Sequence, residues 1–195
     1  MVILATYIRT TIAQKVWIAL EAAGVPYDMQ EIPLYGPGGK PDWFMKLNPK
    51  GTVPVLVCHN GALRLTDSDE ILDKLGDAIS GGSKLVPHDK EAKIKEFRSR
   101  MSAFLPIGKK AVLGGSKDKM WEKLTELDLL IEGPYICGNE ATLADCAAFP
   151  FLWRIENEFG ALESKGCRNI KAWLTTCEGN ASFTATMQRS WWWWW

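Results

Sequence analysis

The chain has 195 residues, is 47% hydrophobic and 24% charged, and carries 23 basic against 23 acidic side chains. This is the composition of a globular protein with room for one large domain or two small ones. Balanced charge gives no electrostatic reason to expect nucleic acid or an anionic membrane as a partner, and no apolar run approaches the roughly 20 residues that span a bilayer.

Five cysteines (Cys58, Cys137, Cys146, Cys167, Cys177) are scattered, odd in number and form no Cys-x-x-Cys, which predicts reduced and mostly buried thiols. The two histidines, His59 and His88, have no cysteine at ligand spacing, so no metal site is expected. Met1 leads straight into an apolar run rather than a signal-peptide pattern. A cytoplasmic or organellar location is expected, and secretion is not.

In chain order, Val2 to Tyr7 reads as a buried strand. Thr10-Thr11 offers a cap for a helix through Ala23, with Ile12, Val16, Ala19 and Leu20 at helical spacing and Gly24 ending it. Pro26 to Ile32 alternates with period two and predicts a second strand, parallel to the first through a right-handed crossover. Leu34 to Lys40 is a Gly/Pro-rich loop, and Pro41 to Leu47 one or two helical turns. Val53 to Cys58 predicts a strand, His59-Asn60-Gly61 a hairpin turn, and Ala62 to Leu65 the return strand. A helix follows from Asp67 to about Ile79.

Ser80 to Pro87 reads as a linker. Beyond it no strand-like alternation remains. Long helices are expected over about 89–113, bent at Pro106-Ile107-Gly108, and over about 116–132, with Trp121, Leu124, Leu127, Leu130 and Ile131 on one face. Thr142 to Asp145 is a helix start with an acidic third position, a relative of the capping box, and the apolar helix behind it should lie in the core. Further helices are expected from Asn169 and from Ala181. Trp17, Trp121 and Trp153 sit on apolar helix faces and are expected in the core. The five tryptophans of 191–195 have no fold logic and are read as foreign to the fold.

The most informative stretch is Asn48-Pro49-Lys50-Gly51-Thr52-Val53-Pro54-Val55-Leu56. Two turn dipeptides precede a short apolar run, and Val53-Pro54 is where a cis bond is expected. A Val53 backbone left out of the sheet could capture an extended peptide by strand-like pairing. The cluster Asp67-Ser68-Asp69-Glu70 opens the next helix, whose unpaired N–H groups and positive potential suit a carboxylate. The pair describes a site for a short acidic peptide.

These residues resemble the glutathione-binding half of the glutathione transferase superfamily. Lys40-Pro41-Asp42-Trp43-Phe44 and Asp67-Ser68-Asp69 are most similar to its dehydroascorbate reductase branch. The resemblance runs from Ile3 to about Arg189, and is looser after Pro87. It implies an α/β thioredoxin-like domain over residues 1–79, a linker over 80–88 and an all-α domain over 89–190. It further implies that glutathione is the cofactor, its cysteinyl backbone paired with Val53 beside Pro54. Its γ-glutamyl carboxylate would sit on Asp67 and Ser68, with Asp67 also meeting the α-amino group. The glycyl carboxylate would meet Lys40.

Where that branch has its reactive cysteine and proline, this chain has Thr10 and Thr11. Threonine forms neither a thiolate nor a mixed disulfide, so cysteine-based reduction of dehydroascorbate is disfavoured. The Thr10 hydroxyl could instead donate to a glutathione thiolate, worth about 1.5–3 kcal/mol for a charge-assisted bond. Tyr7 is the alternative donor, Arg9 could add positive potential, and simple capping by Thr10 with Tyr7 in the core is the competing structural role. Two functions stay open. One is an enzyme that activates glutathione against a small-molecule electrophile. The other is a catalytically degenerate member of the fold serving as a scaffold, assembly subunit or homodimer.

Overall fold

The computed structural model describes residues 2–7, 10–34, 38–76 and 84–187. Arg9, most of the expected linker and the tryptophan tail lie outside them. The first half is a four-stranded sheet built from β1 (Ile3–Thr6), β2 (Asp28–Glu31), β3 (Val55–Cys58) and β4 (Leu63–Leu65), in the order β2-β1-β3-β4. β1 pairs with β2 in parallel and with β3 antiparallel, and β3 pairs antiparallel with β4. The expected crossover is present as α1 (Thr11–Ala23).

The strands are shorter than the alternation suggests. Pro26 and Tyr27 precede β2 and Ile32 follows it, and Val53-Pro54 precedes β3. The hairpin expected at His59-Asn60-Gly61 is one tight helical turn with positive φ at His59 and Asn60. Side-chain alternation along β1 divides the core. Leu4 faces the main core with Val16, Leu20, Leu56 and Ile71, whereas Ala5 joins Ile32, Phe44, Val55 and Val57 on the other face. Phe44 belongs to α2 (Asp42–Leu47), which covers that second face. α3 (Ser68–Lys74) follows β4.

The second half is helical: α4 (Glu91–Val112), α5 (Asp118–Asp128), α6 (Leu143–Phe159), α7 (Arg168–Glu178) and α8 (Ala181–Thr184). α4 runs as one helix through Pro106, burying Ile94, Phe97, Met101 and Phe104 at alternating three- and four-residue spacing. Every residue of α6 from Leu143 to Leu152 is buried, as its apolar run demands. Among the described residues no helix is long and apolar enough to cross a membrane.

Three tryptophans expected in the core are only half-buried. Trp17 and Trp153 turn their indole N–H groups to Glu21 and Glu178, at 3.2 and 2.9 Å, so each keeps one edge near water. Trp121 packs its edge on Phe159. Among the described residues the fully buried tryptophan is Trp173, whose indole finds an internal acceptor in Asp145 at 2.8 Å.

Asp145 is the polar centre of the helical half. It completes the expected capping box, taking the N–H and hydroxyl of Thr142 at 2.7 and 2.8 Å, and also accepts the Ile136 N–H at 2.8 Å. Truncation to Ala would strand these donors away from water. Asp145→Ala should lower the unfolding free energy by at least about 3 kcal/mol, measured by urea titration.

Candidate functional site at the end of the sheet

The turn before β3 is built by Asn48. Its buried side-chain amide donates to the Thr52 carbonyl at 2.8 Å and hydroxyl at 3.0 Å, and its oxygen accepts the Lys50 N–H at 3.2 Å. Gly51 lies within that turn at φ +64°, where a side chain is strained. A Cβ there would come within 2.9 Å of Lys40 Nζ and 3.3 Å of Met45 Sδ. The Lys40 ammonium is therefore folded against the turn that leads to Val53. The Val53-Pro54 bond is cis, as expected. Val53 lies before the ladder, which begins at Val55.

Strand register brings the remaining candidates to the same end. Leu56 pairs with Leu65 and Ala5 with Val55, so β3 begins at the end of the sheet where β1 and β4 finish. The segments that carry Tyr7, Val53 and Ser68 therefore leave the sheet at one end. Thr6 ends β1 there, and its buried hydroxyl has no hydrogen-bond partner.

Both helix starts at this end are capped by their own side chains. Thr10 Oγ1 accepts the Ala13 N–H at 3.2 Å and donates to the Tyr7 carbonyl at 3.3 Å. The cap role competing with a catalytic one is therefore real, although the bond it donates is long. Tyr7 is half-buried rather than enclosed in the core. Asp67 caps α3 through Oδ1, which accepts from Asp69 and Glu70 at 2.9 and 3.0 Å. The N–H of Ser68, the first residue of the helix, is not taken by that cap, and Ser68 is buried. Asp67 itself is exposed.

Sequence reasoning missed the charged link beneath these helix starts. Lys15, almost fully buried, pairs with Asp69 at 2.9 Å, and Arg98 of α4 reaches the same oxygen at 3.3 Å. A sign of it was legible: Lys15 stands four residues before Ala19 on a helix face that is buried. Burial alone would raise the Asp69 pKa, but Lys15 and then Arg98 outweigh it and hold the carboxyl below its usual value.

All five cysteines are buried and unpaired, and burial pushes each thiol upward. None lies at the candidate site, so the chain offers no ready thiolate there. Among the described residues no cluster of His, Cys, Asp and Glu has the makings of a metal site.

A mixed sheet with a cis-proline turn, joined to a helical half, defines a glutathione transferase fold. Residues 11–78 match the glutathione S-transferase N-terminal domain family and residues 92–176 the C-terminal domain family. The chain belongs to the glutathione S-transferase superfamily. A probable glutathione S-transferase DHAR2, chloroplastic, of Oryza sativa subsp. japonica is 26% identical over 180 residues, covering 89% of this chain and 64% of that protein. Glutathione S-transferase DHAR3, chloroplastic, of Arabidopsis thaliana is 27% identical, with 89% and 67% covered. The chain thus spans about two thirds of the length of these curated relatives. Glutathione transferase Omega 2S of Trametes versicolor shares the fold, with a TM-score of 0.84 at 22% identity over 95% of this chain and 91% of that one.

Two outcomes follow. Asn48→Ala removes a buried clamp with three bonds and should cost about 1–3 kcal/mol in unfolding free energy by denaturant titration. For Asp69, the native carboxyl binds its proton less readily than the unfolded one. Its contribution to stability is therefore present above the ordinary carboxylate pKa of about 4 and is lost as pH falls through the lower native value. Thermal unfolding followed from pH 6 downward, on the order of one pH unit per step, should show a shallower acid limb in Asp69→Asn than in the wild type.

Proposed function

We infer that the protein binds glutathione at this end of the sheet and directs its thiol at a small electrophile. The observation that carries the reading is that the segments carrying Tyr7, Val53 and Ser68 leave the sheet at one end, with Lys40 folded against the turn before Val53. Val53 N–H and C=O pair with the cysteinyl main chain, as an added strand would. The Ser68 N–H and the positive start of α3 take the γ-glutamyl carboxylate, Asp67 the α-amino group, and Lys40 the glycyl carboxylate.

The chain's own thiols are buried and protonated, so the nucleophilic sulfur comes from glutathione. Its proton goes to solvent, the sulfur attacks carbon, and the leaving group departs with the bonding pair. Either the Thr10 hydroxyl, turned from its long bond to the Tyr7 carbonyl, or the Tyr7 phenol donates to the thiolate. Thr10 stands where the reductase branch has a cysteine, which favours conjugation over thiol exchange.

Calorimetry with glutathione and a conjugation assay with an aromatic halide test this. Micromolar binding is expected, with activity reduced about tenfold in whichever of Thr10→Ala and Tyr7→Phe removes the donor, the loss of one charge-assisted bond. Absent binding would favour the scaffold reading, and full activity in both variants would sink the assignment of roles. Thr10→Cys should gain glutathione-dependent disulfide reduction, read by coupled oxidation of a nicotinamide cofactor, because a thiol at a helix start is acidified.

A further inference from the structure

The first turn of α3 carries Asp69 directly after Ser68. Its Oδ1 is shared by Lys15 Nζ at 2.9 Å and Arg98 Nη2 at 3.3 Å. The Lys15 side chain is 6% exposed and that of Arg98 16%, so both cations are largely out of water. Arg98 also reaches the Asp69 carbonyl at 3.4 Å and pairs with Asp73 at 2.5 Å, one turn further along α3. One carboxylate is the common anion for α1, α3 and α4. Removing it would leave a buried ammonium without a partner, which is strongly disfavoured.

The placement of this cluster bears on the ligand. The ladder fixes the ends of β1, β3 and β4, but α1 and α3 start only after short connections, and hydrogen bonds of the sheet do not reach them. The Lys15–Asp69 pair ties the two helix starts to each other directly. One is capped by Thr10 and the other opens at Ser68. We propose that Asp69 is a positioning residue that sets the separation between the thiol end and the γ-glutamyl end of the cleft, and through Arg98 ties that separation to the helical half. The assignment rests on the glutathione reading above. A ligand that touches both helix starts depends on their spacing, whereas one that engages only the main-chain and carboxylate contacts depends on it far less.

The test compares glutathione with γ-glutamyl-2-aminobutyryl-glycine, the same tripeptide without its thiol, by calorimetry at neutral pH. The wild type should prefer glutathione by about tenfold, the equivalent of one charge-assisted bond to sulfur. Asp69→Asn should lower glutathione affinity about tenfold and that of the thiol-free analogue less than about threefold, so the preference collapses. Lys15→Arg keeps the cation and should hold both affinities within about twofold. Should Asp69→Asn not fold, Asp69→Glu, which keeps the charge on a longer arm, is read in its place, with the preference reduced by about threefold. A variant that weakens both ligands equally, or neither, overturns the positioning role while leaving glutathione binding intact. A wild type that binds neither ligand overturns the glutathione reading itself and the assignment with it.

Discussion

Helix α1 is packed on two sides, and the rest of the structure depends on that packing. One side lies over the sheet and beside α3, and the other meets α6 and α8. Val16, Ile18, Ala19 and Leu20 are without exposed surface. The contacts of α1 with α6 and α8 join the two halves. It also forces polar residues of α1 inside, where each needs a partner. Gln14 holds the Thr186 carbonyl and hydroxyl at 3.3 and 3.2 Å and accepts from Arg154 at 3.3 Å, while Lys15 takes Asp69. Burial pulls the Arg154 pKa down to about 10.

The candidate site sits at the rim of that interface. β1 leads into Tyr7, Thr10 caps α1, and the turn clamped by Asn48 leads to Val53 at the same end of the sheet. None of these contacts is unusual alone. A helix cap, a glycine turn and a helix start recur in most proteins. What separates this arrangement from a set of local motifs is the antiparallel register of β3 with its two neighbours, which gathers segments distant in sequence at one sheet end. With the chain's cysteines buried and their thiols pushed upward, the proposed chemistry at that end draws on a sulfur brought by a ligand and on hydroxyl groups that would stabilise it.

Much of this was legible in the amino-acid sequence because it rests on local chemistry. The helix cap at Thr10, the left-handed Gly24, the cis Val53-Pro54 turn, the start of α3 at Asp67 and the capping box of Thr142 and Asp145 each follow from a few adjacent residues. The apolar run of α6 announced a core helix, the crossover gave the parallel pairing of the first two strands and the hairpin the pairing of the last two, while the antiparallel contact of β1 with β3 came only with the structure.

Tertiary structure decided the rest. Whether an indole is enclosed depends on what else reaches it. Trp173 is enclosed because Asp145 waits inside, while Trp17 and Trp153 stop halfway because their acceptors lie at the surface. That Lys15 finds its partner in Asp69, and that Asp69 serves two helices, could not be read from either neighbourhood. The partners are far apart along the chain, and only the packing of α1 against α3, with Arg98 of α4 reaching the same carboxylate, removes the water that would otherwise have separated them.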